Sequence, residues 1–211
     1  MVNVRLAGAL YLLIIVGGIF SQIVRTGLRV PGDATATAAN IADAHWLYRT
    51  AFVVSLTFIV GEALLTLILY HLLRPVSATQ SLLAAALRLL ALPIYASALL
   101  CMIGALAAAR EPRHAPLALF FLDLHDYGYA IGLTFFAAHC VVLGGLLVRA
   151  SQVATALGVL LGVAGVGYLV NSLLYFLVPG YDGAVTPLLL LPAIVAETWL
   201  CVRLLRNRPL T

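Results

Sequence analysis

The sequence contains no lysine. All twelve of its cations are arginines, spread along the chain without a basic cluster. An isoelectric point near 9.2 is therefore not the footprint of a nucleic-acid surface. Charge of either sign is scarce, at 9% of residues, where a soluble domain carries roughly 25%. Cysteine is equally sparse. Cys101, Cys140 and Cys201 stand singly in apolar segments with no C-x-x-C spacing, which excludes a disulfide framework and a thiolate metal site and reads as three small buried hydrophobes. There is no internal repeat and no alternation of polar and apolar residues, so a membrane β-barrel is excluded as well.

What is present is hydrocarbon. Of 211 residues, 64% are hydrophobic, and the mean hydropathy is +1.09. Such a chain has too little polar surface to cover itself in water, which rules out a soluble enzyme, a secreted scaffold and a disordered chain. The reading is an all-α, polytopic helical bundle in one transmembrane domain over residues 1–211. Six apolar runs serve as spans at about 6–24, 50–73, 82–109, 117–148, 156–178 and 186–205, each able to cross ~30 Å of hydrocarbon. The fourth is too long for one upright span, so its first turns, with Asp123 and His125, are expected at or beyond the interface. Pro31-Gly32-Asp33 opens a polar connector reaching His45. Arg74-Pro75, Glu111-Pro112 and Pro179-Gly180 stop helices where the apolar runs end. Gly158 and Gly162 have small-xxx-small spacing, read as close packing within the chain. Arginine counts at the span ends, six against five, lean toward both termini in the cytoplasm. An uncleaved first span is expected, because no small-residue cleavage site follows it.

Several strings together carry a likeness: Arg5 to Leu13, Val30 to Ala36, Leu72 to Val76, Leu124 to Leu133, Gly167 to Ser172 and Pro179 to Tyr181. Over nearly its whole length the chain resembles domain-of-unknown-function family 4386, small bacterial multi-pass membrane proteins. The resemblance implies an inner-membrane helical bundle and brings no activity with it.

Function must then be argued from polar groups at membrane depth, where an ionisable side chain costs ~2.5–3.5 kcal/mol on insertion scales. Glu62 sits near the middle of the second span, in one stripe with Ser55 and Thr66. Glu197 is at mid-depth in the sixth. Arg88 is the only arginine well inside a span, with Tyr95 on its face and Pro93 expected to kink the helix between them; snorkelling and pairing with Glu62 or Glu197 are both open. His125 and His139 lie near one face of the fourth span, beside Gly128 and Gly132, which leave room for a bound molecule or a close backbone. Tyr129 flanks that face. The fifth span adds a stripe of Tyr168, Asn171, Ser172 and Tyr175.

These groups are expected to share an intramembrane cavity. The first functional reading is an acid–base enzyme acting on a lipid-soluble, isoprenoid- or lipid-like substrate. Glu62 and Glu197 are then acid and base, His139 orients one of them, and Arg88, Tyr95, His125, Tyr129, Asn171 and Trp199 bind substrate. The alternative is a proton-coupled or small-molecule transporter using Glu62, Arg88 and Glu197 as the relay, against which the missing repeat counts. A third is a haem or metal protein, although His125 and His139 stand about 21 Å apart along one helix and no H-E-x-x-H spacing exists. A fourth is an assembly protein whose polar groups only pack. No cofactor is expected. The partners expected are membrane lipids and a lipid-soluble small molecule, not nucleic acid, and the oligomeric state is left open.

Overall fold

In the computed structural model, residues 3–181, 183–208 and 210 are described. They form seven α-helices: α1 (Val4–Leu28), α2 (Ala34–Asp43), α3 (His45–Leu73), α4 (Ala78–Ala108), α5 (Ala115–Ala150), α6 (Gln152–Leu177) and α7 (Thr186–Leu205). No strand occurs among the described residues. All but α2 are long and apolar enough to span a bilayer. The chain is a multi-pass, all-helical membrane protein.

The helix starts are written locally. Asn3, Asp33, Ser77 and Ser151 each accept a backbone N–H of the following first turn, capping α1, α2, α4 and α6. Proline occupies the first turn of α5 and α7, where no donor is lost. The polar connector before His45 is itself helical in part: Asp33 caps the short α2, and Thr37 Oγ1 ties it back to Val30 O and Asp33 O. The spans also run past their apolar cores, most clearly in α3, which begins at His45 rather than at residue 50. Helix geometry continues through polar end residues because their backbone bonds are made regardless of side-chain hydropathy. The fourth span is a single helix of 36 residues, or about 54 Å at 1.5 Å per residue, and α4 continues to Ala108 through Pro93.

Neighbouring helices pack in the order α1, α3, α4, α5, α6, α7, and α7 returns to α1, closing a six-membered ring. The short α2 lies across one end, against α4 and α5. With six crossings, the first and last spans have their outer ends on one side, called here the termini end; α2 marks the distal end. Glycine sets the tightest contact. A Cβ on Gly158 would stand 2.5 Å from Gly144 O, so α5 and α6 pack backbone to backbone within the chain. Cys140 and Cys201 are buried, Cys101 is partly so, and all three are free thiols.

Candidate functional site

Every helix of the ring contributes a polar or aromatic side chain to one cluster: Tyr11 from α1, Glu62 from α3, Arg88 from α4, Phe136 and His139 from α5, Tyr168 from α6 and Glu197 from α7. Glu62, Arg88 and His139 lie ten or eleven residues from the termini end of their helices, so about 15–17 Å in. That is half the thickness of a ~30 Å hydrocarbon core.

Arg88 is the hub. It is completely buried, with Glu62 4% and His139 2% exposed, and Nε donates to Glu62 Oε2. This settles the choice left open by the sequence: Arg88 pairs rather than snorkels. Nη1 lies 3.3 Å from His139 Nε2. A guanidinium can only donate, so Nε2 accepts and Nδ1–H donates to Ala84 O at 2.8 Å. The two contacts fix the tautomer of His139. The guanidinium carbon stands 5.7 Å from the Tyr11 ring centre and 5.2 Å from that of Phe136, within cation–π range. Phe136 in turn packs edge-on against Tyr168 at 5.5 Å, and Tyr168 OH donates to Glu197 Oε1 at 2.7 Å. One donor is left over: Arg88 Nη2 is buried without a hydrogen-bond partner among the described residues.

Ser55 and Thr66, on the same stripe as Glu62, turn their hydroxyls back to Ala51 O and Glu62 O of their own helix. Only Glu62 reaches across. Glu62, Arg88 and His139, three of the four groups expected to line one cavity, are in direct contact, and Glu197 joins them through Tyr168 and Phe136. The cavity beside it is small, about 10 Å³, and is lined by His139 with Thr66, Ser81, Ala84 and Ala85 among others on the termini side. It has room for about one water. Glu62, Arg88 and Glu197 are not among its lining residues.

The remaining expected site residues scatter. Tyr95 is buried, stacked on Tyr129 at 5.0 Å. A Cβ on Gly132 would lie 2.5 Å from the Tyr95 ring, and one on Gly128 would lie 3.1 Å from Ala98. The space those glycines leave is therefore filled by α4, not held open for a ligand. Asn171 Oδ1 accepts from Thr186 Oγ1 at 2.6 Å and from Tyr181 OH at 3.4 Å, fastening the connector between α6 and α7. Trp199 is 41% exposed on the outside of the ring. Among the described residues, no three His, Cys, Asp or Glu side chains are grouped to hold a metal ion.

Residues 6–207 match the family described as a domain of unknown function, DUF4386. The chain belongs to the DUF4386 family. No curated protein and no solved structure matches it.

This DUF4386 chain carries a second polar cluster, toward the distal end. Arg25 pairs with Asp126, and Arg29 with both Asp126, at 2.8 Å, and Asp123. His125 Nδ1 lies 3.4 Å from Asp126 Oδ1, and its ring stacks on Tyr129 at 6.3 Å. His125 therefore belongs with these charges and not with His139. The column His125–Tyr129–Tyr95 runs from this cluster into the bundle. Sequence reasoning passed over Arg25, Arg29 and Asp126, although the i, i+4 arginines and the i, i+3 aspartates are a legible signal of two facing helical edges. Tyr11 offered none, since one tyrosine in an apolar span has no distinguishing pattern.

Proposed function

We propose that this protein is a proton-coupled carrier of the bacterial inner membrane, with Glu62, Arg88 and Glu197 as its relay and His139 as the group that positions Arg88. The observation that carries the reading is a mid-depth cluster in which one buried cation, Arg88, pairs with Glu62, while a second carboxyl group, Glu197, is held nearby by Tyr168. A buried cluster far from neutrality is strongly disfavoured. Arg88 is permanently charged, so the two carboxyls hold one proton between them. With Glu62 paired, that proton resides on Glu197. A proton arriving at Glu62 releases the guanidinium, whose unpaired Nη2 is free to engage Glu197, and Glu197 gives up its proton. Each exchange breaks a contact between α3 and α4 and makes one toward α7, which couples protonation to the packing of the ring.

The test is reconstitution into liposomes with a trapped pH-sensitive dye, an imposed pH gradient and a bacterial metabolite extract as the source of the coupled solute. The gradient should collapse faster than in protein-free vesicles, with E62Q and E197Q each slowing it at least tenfold. Collapse at the protein-free rate would reject the relay.

A second reading keeps the acid–base enzyme acting on a lipid-soluble substrate. It is favoured by one observation: Glu197 and Tyr168 retain accessible surface while the ion pair is sealed. Here Glu197 exchanges the proton with substrate, and the ring faces of Phe136 and Tyr168 sit beside it. Incubation with a membrane lipid extract should then yield a product, detected by mass spectrometry, that E197Q does not form.

A further inference from the structure

A separate cleft of about 290 Å³ opens at the distal end, lined by Ala42 of α2, His45 and Arg49 of α3, and Leu106 and Arg110 at the end of α4. Its volume is near the lower bound of ligand cavities, about 300 Å³. Its chemistry is one-sided. Arg25 and Arg29 are paired with aspartates and Arg113 with Glu111, whereas neither Arg49 nor Arg110 has a carboxylate within salt-bridge distance among the described residues. Glu111, next to Arg110, is engaged by Arg113 and His114, Asp43, six residues before Arg49, is exposed, and neither acid is among the lining residues. His45 Nδ1 bonds to Ala42 O at 3.0 Å.

The cleft is also at a defined depth. Arg49 stands four residues into α3, just before its apolar run, and Arg110 is two residues beyond the end of α4. Trp46, 73% exposed, is on the same turn as Arg49, as expected of an aromatic anchor at headgroup level. Two guanidinium groups without counter-ions among the described residues, one on α3 and one just past α4, at the membrane–water boundary suit a tetrahedral anion, because each can give paired N–H donors to its oxygens.

We propose that this cleft is a binding site for a phosphate group, bridged between Arg49 and Arg110, with Ala42 and Leu106 as its apolar floor. The site is independent of the mid-depth cluster and of any relay there. A phospholipid headgroup and a free phosphate present the same oxygens, and the experiment separates them. The full-length protein in neutral detergent is titrated with short-chain phosphatidylglycerol, short-chain phosphatidylcholine and inorganic phosphate, read by Trp fluorescence and by retained ligand in native mass spectrometry.

Binding of either phospholipid or of inorganic phosphate should weaken at least tenfold in R49Q/R110Q, recover in part in R49K/R110K, and stay unchanged in R74Q, which removes the same charge from an exposed arginine at the opposite end of the bundle. It should also weaken as salt rises. Preference for phospholipid assigns the site to headgroups, and equal or tighter binding of inorganic phosphate assigns it to a soluble ligand. Wild-type affinity in R49Q/R110Q, an equal loss in R74Q, or no saturable binding of any probe overturns the proposal. Both arginines are unpaired and at least partly accessible, so their replacement leaves the fold intact; unchanged far-ultraviolet circular dichroism checks this.

Discussion

Two polar clusters occupy the bundle at different depths, built from the same residue types but in opposite settings. At mid-depth, Arg88 and Glu62 are sealed, with side chains 1% and 5% exposed. Toward the distal end, Arg29 and Asp123 are 30% and 45% exposed. Asp126 and His139 are thirteen residues apart on α5, or about 20 Å at helical rise. Coulomb attraction and desolvation both grow as water is excluded. The inner pair is therefore indispensable once formed yet replaceable as a whole, whereas the outermost distal pair, Arg29 and Asp123, is individually minor and sensitive to salt, and Arg25 with Asp126, 10% and 23% exposed, lies between these limits.

The sharpest way to break that comparison is R88A. It strands the Glu62 carboxylate inside the ring and should destabilise the protein by about 3–5 kcal/mol, read as a fall in unfolding midpoint in detergent. The double replacement E62L/R88M removes both charges and should restore most of that loss, since apolar isosteres of a buried pair are often neutral or stabilising. It should still abolish proton flux. If R88A costs no more than a distal substitution, the two settings do not differ as argued.

Next in size is G132A, in the aromatic column between the clusters. The added methyl group would stand 2.5 Å from the Tyr95 ring, and overpacking of this kind costs about 1–3 kcal/mol. D126N comes third. It weakens contacts to Arg25 and Arg29 at once, and a loss of about 1 kcal/mol is expected, since the site is only partly screened. The smallest effect belongs to D123N, where the aspartate is nearly half exposed. It should change the midpoint by about 0–0.5 kcal/mol and by nothing measurable in high salt. A D123N effect equal to that of R88A would show that the distal end is as dry as the centre.

Glu62, Arg88, His139 and Glu197 could be named from sequence because each is costly at its depth. Their contacts could not. The fate of Arg88 depended on whether a carboxylate lay within reach on another helix. The glycines at 128 and 132 looked like vacancy because the large residue that fills the space beside Gly132, Tyr95, lies 37 positions away in the chain. Asn171 resembled a binding group by its stripe, and only the return of the chain through Tyr181 and Thr186 gives it partners. Arg25, Arg29 and Asp126 were legible as helical edges and went unread, because residues near span ends pass for ordinary interfacial charges.

The sequence by itself determined the solvent, the helical class and the six crossings, since these follow from local hydropathy, helix-start residues and the obligation to satisfy backbone hydrogen bonds in lipid. Only the tertiary structure decided the closed ring and the order of its members. That order depends on which helix faces fit, as where α5 and α6 meet through Gly144 and Gly158. It brings one side chain from each helix to a common depth, so that a single arginine meets both a carboxylate and a histidine.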